Sequence, residues 1–188
     1  PTAVEACKKA KNFWVWSNFA SKALNEQGHE HVKAVHGPLD ESLFHRLTDV
    51  ERLQLRKTHS LESSDFIIGF VFRNQLRKSV PNLLEGYKMF KEENKDLIKG
   101  KPKLLLHTNF TEGWNIHRLA DEIGVDKEEI LTTYFCNKCH SYFISAYKGN
   151  DLDCPACSEK KSVTTVSIQA GADEVQLNQI YNLMDVYC

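Results

Sequence analysis

Two Cys-x-x-Cys motifs are the residues of this chain best suited to chemistry: Cys136-Asn-Lys-Cys139 and Cys154-Pro-Ala-Cys157, with fourteen residues between them. Four thiolates at this spacing are typical of tetrahedral zinc, because each motif directs two sulfurs toward one point and the two motifs face each other across a hairpin. Four protein ligands also leave no open position for water or substrate. The spacing therefore predicts a zinc hairpin over residues 136–157 that holds a structural metal.

The same cysteines could instead act as two redox dithiols or form two disulfides, and His140, beside the first motif, could replace one thiolate. We favour zinc because a redox Cys-x-x-Cys normally opens a helix after a strand and rarely occurs twice. The remaining cysteines, Cys7 and Cys188, lie at opposite ends of the chain without a partner motif. With the other four assigned to a metal, we expect a reducing, cytoplasmic compartment.

The composition is that of an ordinary globular protein: 188 residues, 41% hydrophobic and 26% charged, with a net charge of −1. A near-neutral charge disfavours a dedicated nucleic-acid-binding protein, which needs a basic surface to displace counterions from phosphates. The longest apolar run, residues 66–72, is too short to span a bilayer. We therefore expect no membrane span, and nucleic acid is an unfavoured partner.

A short first series of elements precedes a polar segment. The predicted elements are a strand over residues 12–16, a helix over 17–27 that begins at Ser17 and stops at Gly28, and a strand over 31–35. Residues 39–64 are polar and charged, with one helical stretch over 50–57. We interpret this organisation as a first domain over residues 1–48, an interdomain linker over 49–64 and a second domain over 65–188.

The second domain alternates strands with helices. Predicted strands cover residues 66–72, 103–107, 130–135 and 164–168, and predicted helices begin near Pro81, Asn115 and Asp173. The run at 66–72 is apolar at nearly every position, which suits a central parallel strand covered on both faces. Alternation of this kind indicates right-handed crossovers. The predicted fold class is α/β, a doubly wound parallel sheet with an inserted four-cysteine zinc hairpin.

A basic turn, residues 73–79, follows the first strand of this domain. Ligands of doubly wound sheets bind beyond the carboxyl ends of the strands. The turn has no Gly-rich motif and offers Arg73 and Lys78 instead, five residues apart. A guanidinium and an ammonium that converge on one spot suit a diphosphate. From the charges alone, a solvated basic turn is an equally good interpretation.

The segment Gly69-Phe-Val-Phe-Arg73-Asn-Gln-Leu-Arg-Lys78, followed by Pro81-Asn-Leu-Leu-Glu-Gly-Tyr87, resembles the start of the donor-binding domain of group 1 glycosyltransferases. These are retaining enzymes of the GT-B fold, and their Gly-x-x-x-Arg-x-x-x-x-Lys segment binds the diphosphate of a nucleotide-sugar. Three further stretches are similar to the family in order and spacing: Val15-Trp-Ser17 through His36-Gly-Pro-Leu-Asp40, Leu104-Leu-Leu-His-Thr108, and Leu177-Asn-Gln-Ile-Tyr-Asn-Leu-Met-Asp-Val186. The zinc hairpin has no counterpart in the general family.

The resemblance implies transfer of a sugar from a nucleotide-diphosphate sugar to an acceptor such as a glycan, lipid or protein. Residues 1–48 would be the last unit of the acceptor domain, and residues 65–188 a Rossmann-like donor domain of a partial GT-B fold. Arg73 and Lys78 would neutralise the leaving nucleoside diphosphate. Thr108 and Asn109 are candidates for lining the cleft, and backbone groups of residues 165–169 would lie near the base.

Parts of the family pattern are absent. The family's Glu-x7-Glu motif would begin just beyond Cys188, and its Gly-rich loop and catalytic histidine would precede Pro1. His36 is not that histidine. We therefore expect a fragment of a longer protein that holds part of a nucleotide diphosphate but does not transfer sugar itself.

The alternative function is a zinc-ribbon interaction module on an α/β scaffold that binds nucleic acid or protein. The hairpin carries Lys148 against Asp151 and Asp153 and has no cluster of arginines, which disfavours strong phosphate binding. Lys160 and Lys161, just after the second motif, are the residues that favour this alternative.

Overall fold

The computed structural model describes residues 2–167 and 170–188, so the predicted strand end at Ile168 and the predicted base-contacting residue Gln169 lie outside the described residues. The chain divides into two compact units, Pro1–Ser42 and Leu43–Cys188. Across the described ranges, no helix combines the length and the apolar character needed to cross a membrane.

The first unit pairs two short parallel strands with two helices. Its elements are α1 (Ala3–Lys9), β1 (Trp14–Val15), α2 (Asn18–Asn25) and β2 (Lys33–Ala34). Ser17 caps α2 by accepting a hydrogen bond from the backbone N–H of Ala20, as the sequence predicts. A small core of Cys7, Leu24 and Val32 holds the unit together.

The second unit is mixed α/β with a mostly parallel sheet. Its elements are α3 (Asp49–Thr58), β3 (Phe66–Val71), α4 (Val80–Glu93), β4 (Pro102–His107), α5 (Ile116–Ile123), β5 (Ile130–Cys136), β6 (Tyr142–Ala146), β7 (Val163–Thr165), α6 (Glu174–Leu183) and β8 (Val186–Tyr187). Single 3-10 turns, Leu76–Lys78 and Lys127–Glu129, precede α4 and β5. The strand order is β6-β5-β4-β3-β8, with β7 paired to β5 as well.

Alternate residues of the central strands bury themselves on opposite faces of the sheet, because successive side chains of a strand point to opposite sides. One face packs Ile68, Leu104 and Leu106 against α4 and α5. The other face packs Ile67, Leu105 and Leu131 with α6. Helices therefore cover both faces, which is why these strands are apolar at consecutive positions.

The last predicted strand differs from the prediction. The sequence predicts a fourth parallel strand over residues 164–168, but β7 spans Val163–Thr165 and runs antiparallel to β5. The reason is the hairpin: the second cysteine motif lies beside the end of β5, so the chain that leaves it can only run back along that strand. Strand β6 is antiparallel to β5 because the first cysteine motif forms a tight turn between them.

The helical stretch predicted over residues 50–57 is present as α3, whose first turn is closed by a reciprocal capping box between Thr48 and Glu51. The segment predicted as an interdomain linker, residues 49–64, lies within the second unit. The second unit already begins at Leu43, and α3 packs against α6 within it. The polar composition of α3 reflects two arginines that hydrogen-bond to the end of α6, and polar composition alone does not distinguish such a helix from a linker.

Arg52 and Arg56 of α3 bind the turn between α6 and β8. Both guanidiniums donate to Asp185, each at 2.7 Å, and the backbone N–H of Ile67 donates to the same carboxylate at 2.7 Å. Arg56 is 3% exposed and also donates to the carbonyls of Asp65 and Leu183, both at 2.9 Å. Burial raises the pKa of Asp185, but these hydrogen bonds and the positive charge of Arg56 hold it below its ordinary value.

We expect Arg56→Met to destabilise the second unit by about 3–5 kcal/mol, because it removes a buried guanidinium and leaves part of a carboxylate and two carbonyls unpaired. Unfolding in urea, followed by circular dichroism, measures the change in the free energy of unfolding. The matched control is Arg46→Met, because the guanidinium of Arg46 is 86% exposed and 3.7 Å from Asp49. A loss for Arg56→Met no larger than for this control would contradict the assigned role.

Candidate metal centre and ligand cleft

The four cysteines of the two motifs form one cluster. Their Sγ atoms all lie within 4.8 Å of one another. The Sγ atoms of Cys136 and Cys157 are 3.7 Å apart, and those of Cys139 and Cys154 are 3.8 Å apart. All six cysteines of the chain are free thiols, so neither motif forms a disulfide. His140 is outside the cluster.

The two motifs have the same local structure. In the first, the N–H of His140 donates to the carbonyl of Cys136 at 3.0 Å, and in the second the N–H of Ser158 donates to the carbonyl of Cys154 at 2.9 Å. His140 and Ser158 have positive φ angles of 57° and 61°. These left-handed residues end both turns at the equivalent position, so that each motif presents its two sulfurs to the other.

The geometry of the cluster fits a tetrahedral metal. Thiolates bound at about 2.3 Å from zinc stand about 3.8 Å apart, which is the separation of the two closest pairs. The backbone N–H groups of Lys138 and Cys139 donate to the Sγ of Cys136, at 3.3 and 3.5 Å. Burial raises the pKa of Cys136, but a hydrogen bond with Ser162 and these two N–H groups lower it to about 6. The cluster can therefore hold a metal ion.

A cleft of about 390 Å³ lies at the carboxyl ends of β3 and β4. The residues that line it are Val71, Phe72, Arg73, His107, Asn109, Glu112, Val166 and Ser167. A shallower groove of about 740 Å³ runs along α3, but α3, Leu47 and Gln179 line it, and the strand ends contribute nothing to it. We regard the smaller cleft as the candidate ligand site, because parallel α/β sheets bind ligands at the carboxyl ends of their strands.

Strand β7 completes the cleft from the far side. One edge of β5 pairs with β6 over residues 131–135, so β4 and β7 must share the other edge. Strand β4 pairs with β5 up to Thr132, and β7 pairs with β5 from Tyr134 onward. The carboxyl ends of β4 and β7 thus face each other along the same edge of β5. Val166 and Ser167, which follow β7, line the cleft together with His107 at the end of β4.

Arg73 is the exposed cation of the cleft. Its side chain is 63% exposed, and its Nε donates to Glu112 at 3.2 Å. Glu112 also accepts a weak hydrogen bond from the side-chain amide of Asn109, at 3.4 Å. The guanidinium of Arg73 therefore pairs with one solvent-accessible carboxylate, which an anionic ligand can replace.

Asn74 fixes the loop that carries Glu112. Its side-chain amide donates to the carbonyls of Asn109, Glu112 and Trp114, and its Oδ1 accepts from the N–H of Trp114 at 3.1 Å. Gly113 has a positive φ of 61°, and a Cβ there would lie 2.2 Å from the carbonyl oxygen of Asn74. The walls at the ends of β3 and β4 are thus locked together by one buried amide.

The other two residues predicted for the ligand site lie elsewhere. The Nζ of Lys78 is 5.9 Å from the ring centroid of Phe70, and Lys78 is not among the residues that line the cleft. Thr108 is completely buried, and within the described residues its hydroxyl has no hydrogen-bond partner. The structure therefore brings Arg73 and Asn109 together at the cleft, but not Lys78 or Thr108.

Three residues of this region were not predicted from the sequence: His107, Glu112 and Asn74. His107 lines the cleft, is 8% exposed, and its Nδ1 lies 2.9 Å from the hydroxyl of Thr133. Burial lowers the pKa of His107 to about 4, so the imidazole is neutral at pH 7. A signal was present for His107, since it is the first polar side chain after an apolar strand. Asn74 and Glu112 become recognisable only when the two loops are seen together.

The chain matches no protein-family model, and no curated protein matches it significantly. Functional inference therefore rests on the residues of the cysteine cluster and the cleft.

We expect the stability of the second unit to fall as the pH drops from about 6.5 to about 4. His107 and His59 both have a pKa lowered by burial to about 4, so between these values the unfolded chain binds protons that the folded chain does not. Free energies of unfolding, measured in urea at several pH values across this range, give the slope of stability against pH. His107→Gln should make the slope shallower, and the control His45→Gln, at an exposed side chain, should not. An unchanged slope in His107→Gln would contradict the buried, neutral imidazole.

Proposed function

We propose that the chain is part of a group 1 glycosyltransferase and that the cleft beside Arg73 binds the diphosphate of a nucleotide-sugar donor. The observation that carries the proposal is the position of the cleft, at the carboxyl ends of parallel strands, with an exposed guanidinium at its rim. Two residues predicted from the sequence to lie at the ligand site, Arg73 and Asn109, both line the cleft, which supports the proposal. Under this proposal the sheet is a doubly wound, Rossmann-like donor domain of the GT-B type.

Arg73 supplies the charge for binding and for catalysis. A planar guanidinium can donate two parallel hydrogen bonds to phosphate oxygens, which are stronger than neutral hydrogen bonds. As the bond to the sugar breaks, negative charge accumulates on the nucleoside diphosphate, and a cation already in place stabilises it. Glu112 has to release Arg73 first, and repulsion between its carboxylate and the phosphates favours that release.

Lys78 is the second cation that the resemblance assigns to the diphosphate. Its amine lies over the ring of Phe70, so this role requires its flexible side chain to change conformation when the donor binds. His107 and Asn109 provide neutral hydrogen-bonding groups deeper in the cleft, suited to the ribose or sugar hydroxyls. The acceptor is proposed to be a glycan, lipid or protein, and the resemblance assigns residues 1–48 to the acceptor domain.

We propose that the cysteine cluster binds one structural zinc ion through Cys136, Cys139, Cys154 and Cys157. The Sγ separations of 3.7 and 3.8 Å support zinc, and four thiolate ligands exclude substrate from the metal. When bound, the ion supplies cross-linking of the two motifs. The hairpin also forms part of the sheet, since β6 and β7 both pair with β5, which favours a structural role over a free interaction module.

Calorimetric titration of UDP, GDP and ADP into the intact chain tests the donor site. We expect one of them to bind, and Arg73→Ala to weaken that binding about 10- to 100-fold, the loss expected for a charge-assisted hydrogen bond. The matched control is Arg77→Ala, an exposed arginine of the same turn whose Nε donates to Gln75 rather than to a cleft residue. Absence of binding by all three, or equal losses in the two variants, would overturn the proposal.

The variant Glu112→Gln tests whether the Glu112 carboxylate competes with the ligand phosphates for the guanidinium of Arg73. Removing the carboxylate frees the guanidinium of Arg73 and removes repulsion of the phosphates, so we expect nucleoside diphosphate binding to strengthen several-fold at low salt. The same titration measures the change. Weaker binding in this variant would mean that Glu112 contacts the ligand favourably, contrary to the proposed role.

Metal analysis of protein prepared under reducing conditions tests the zinc site. We expect one zinc per chain, lost in Cys139→Ser and retained in Cys188→Ser, whose cysteine lies outside the cluster. Native mass spectrometry gives the stoichiometry directly. Clearly less than one zinc in the unsubstituted protein would contradict the site.

A further inference from the structure

We infer that the cysteine cluster positions one wall of the ligand cleft, so that metal binding and ligand binding are thermodynamically coupled. This inference rests on the proposed function of the cleft. It assigns Asn150 as the positioning residue that transmits the effect and gives the metal a role beyond holding the hairpin closed.

The wall in question is the exit of β7. Val166 and Ser167 line the cleft directly after Thr165, the last residue of β7. Ser167 donates its backbone N–H to the carbonyl of Ala170 at 2.6 Å, and its hydroxyl accepts from the N–H of Ala170 at 3.1 Å. The wall therefore follows β7 directly, and its position depends on where β7 ends.

Strand β7 is only three residues long, so the contacts at its two ends determine its position. At its start, Val163 pairs with Cys136, a ligand of the cluster, and with Leu152, which precedes the second motif. The N–H of Asn137, within the first motif, donates to the carbonyl of Ser162 at 2.8 Å. The first cysteine motif thus contacts the entry of this strand, and so does Leu152, two residues before the second motif.

Asn150 holds the other end of β7. Its Oδ1 accepts from the backbone N–H of Thr165 at 3.0 Å and lies 3.3 Å from the hydroxyl of Thr165. Asn150 lies between β6 and the second motif, in a segment anchored by Tyr134, whose hydroxyl donates to the carbonyl of Gly149 and accepts from the N–H of Lys148. The hairpin thus fixes both ends of β7, directly through the cluster and indirectly through Asn150.

Closing the cluster with a metal cross-links the two motifs. Without the metal, the segment from β6 to β7 is held by its hydrogen bonds and by the small apolar cluster around Val163 and Tyr134. Three residues of strand do not retain a unique register by pairing alone. Loss of the metal should therefore increase opening of β7 and displace Val166 and Ser167 from the cleft. Because coupling is reciprocal, a ligand that requires this wall must raise the affinity for the metal by the same factor.

The coupling is tested on the intact chain with UDP, GDP and ADP as probes, titrated into zinc-loaded and chelator-treated protein. We expect the nucleoside diphosphate that binds the zinc-loaded form to bind the metal-free form at least fivefold more weakly. Zinc affinity, measured by competition with a chromophoric chelator, should rise by the same factor when that ligand is present. Hydrogen exchange should become faster at residues 163–167 in the metal-free form, while α4 and α5 stay protected.

Asn150→Ala is the second variant, because it leaves all four thiolates in place. We expect it to retain one zinc per chain, to exchange faster at Thr165, and to bind the nucleoside diphosphate several-fold more weakly. Cys188→Ser, outside the cluster, should change none of these quantities. Removal of the metal could unfold the whole unit, in which case α4 and α5 would also lose protection. The affinity of zinc-loaded Asn150→Ala for the nucleoside diphosphate then tests whether ligand binding depends on the position of β7.

Equal affinities in folded zinc-loaded and metal-free protein would overturn the coupling and leave the proposed ligand site intact. Unchanged affinity in zinc-loaded Asn150→Ala would overturn the role of Asn150. If none of the three nucleoside diphosphates binds the zinc-loaded chain, the proposed function fails, and the coupling fails with it.

Discussion

The second unit depends on one buried strand whose two edges are shared by three others. All seven residues of β5 are buried, and β6 covers one edge while β4 and β7 divide the other. Because β4 stops after His107, the outer half of that edge is open to a returning chain, and β7 fills it. The cysteine cluster at the end of β5 and the cleft at the end of β4 are therefore neighbours, joined by a strand of three residues.

Two arginines of this unit illustrate how burial separates structural from binding roles. Arg56 is 3% exposed and has a carboxylate and backbone carbonyls as acceptors, so a ligand can neither reach it nor displace its partners. Arg73 is 63% exposed and has one carboxylate partner. The free energy gained by an exposed ion pair is small, so an anionic ligand can replace it readily. Charge alone does not distinguish these residues, whereas the number of acceptors around each guanidinium does.

Much of the fold could be predicted from the sequence because local signals were strong. Four cysteines in two equal motifs predicted their own convergence, the apolar run at 66–72 predicted a central strand, and Ser17 and Asp173 marked helix starts through their capping geometry. The direction of β7 could not be predicted, because a strand of three residues has no pattern that specifies its partner. The helix within residues 49–64 was predicted, but its packing in the second unit was not, because a helix that uses arginines for its contacts has the composition of a linker.

The cleft was only partly predictable for a similar reason. Arg73 and Asn109 follow strand ends, and this rule identified both. The same rule also selected Thr108, whose side chain is buried, and the spacing rule selected Lys78, whose amine lies over Phe70. Asn74 binds three carbonyls of the loop after β4, a long-range contact that no local pattern encodes. Sequence patterns thus indicate the strand ends that border the cleft, and loop packing decides which side chains line it.

The proposed nucleoside diphosphate site lies beside Arg73, at the junction of β4 and β7. A two-dimensional amide NMR titration of the zinc-loaded chain with the nucleoside diphosphate tests this site. We expect the largest shifts at Arg73, Asn109, Val166 and Ser167, in both walls of the cleft, and we expect them to saturate together. Shifts confined to the groove along α3, or spread evenly over the exposed lysines without saturation, would contradict it.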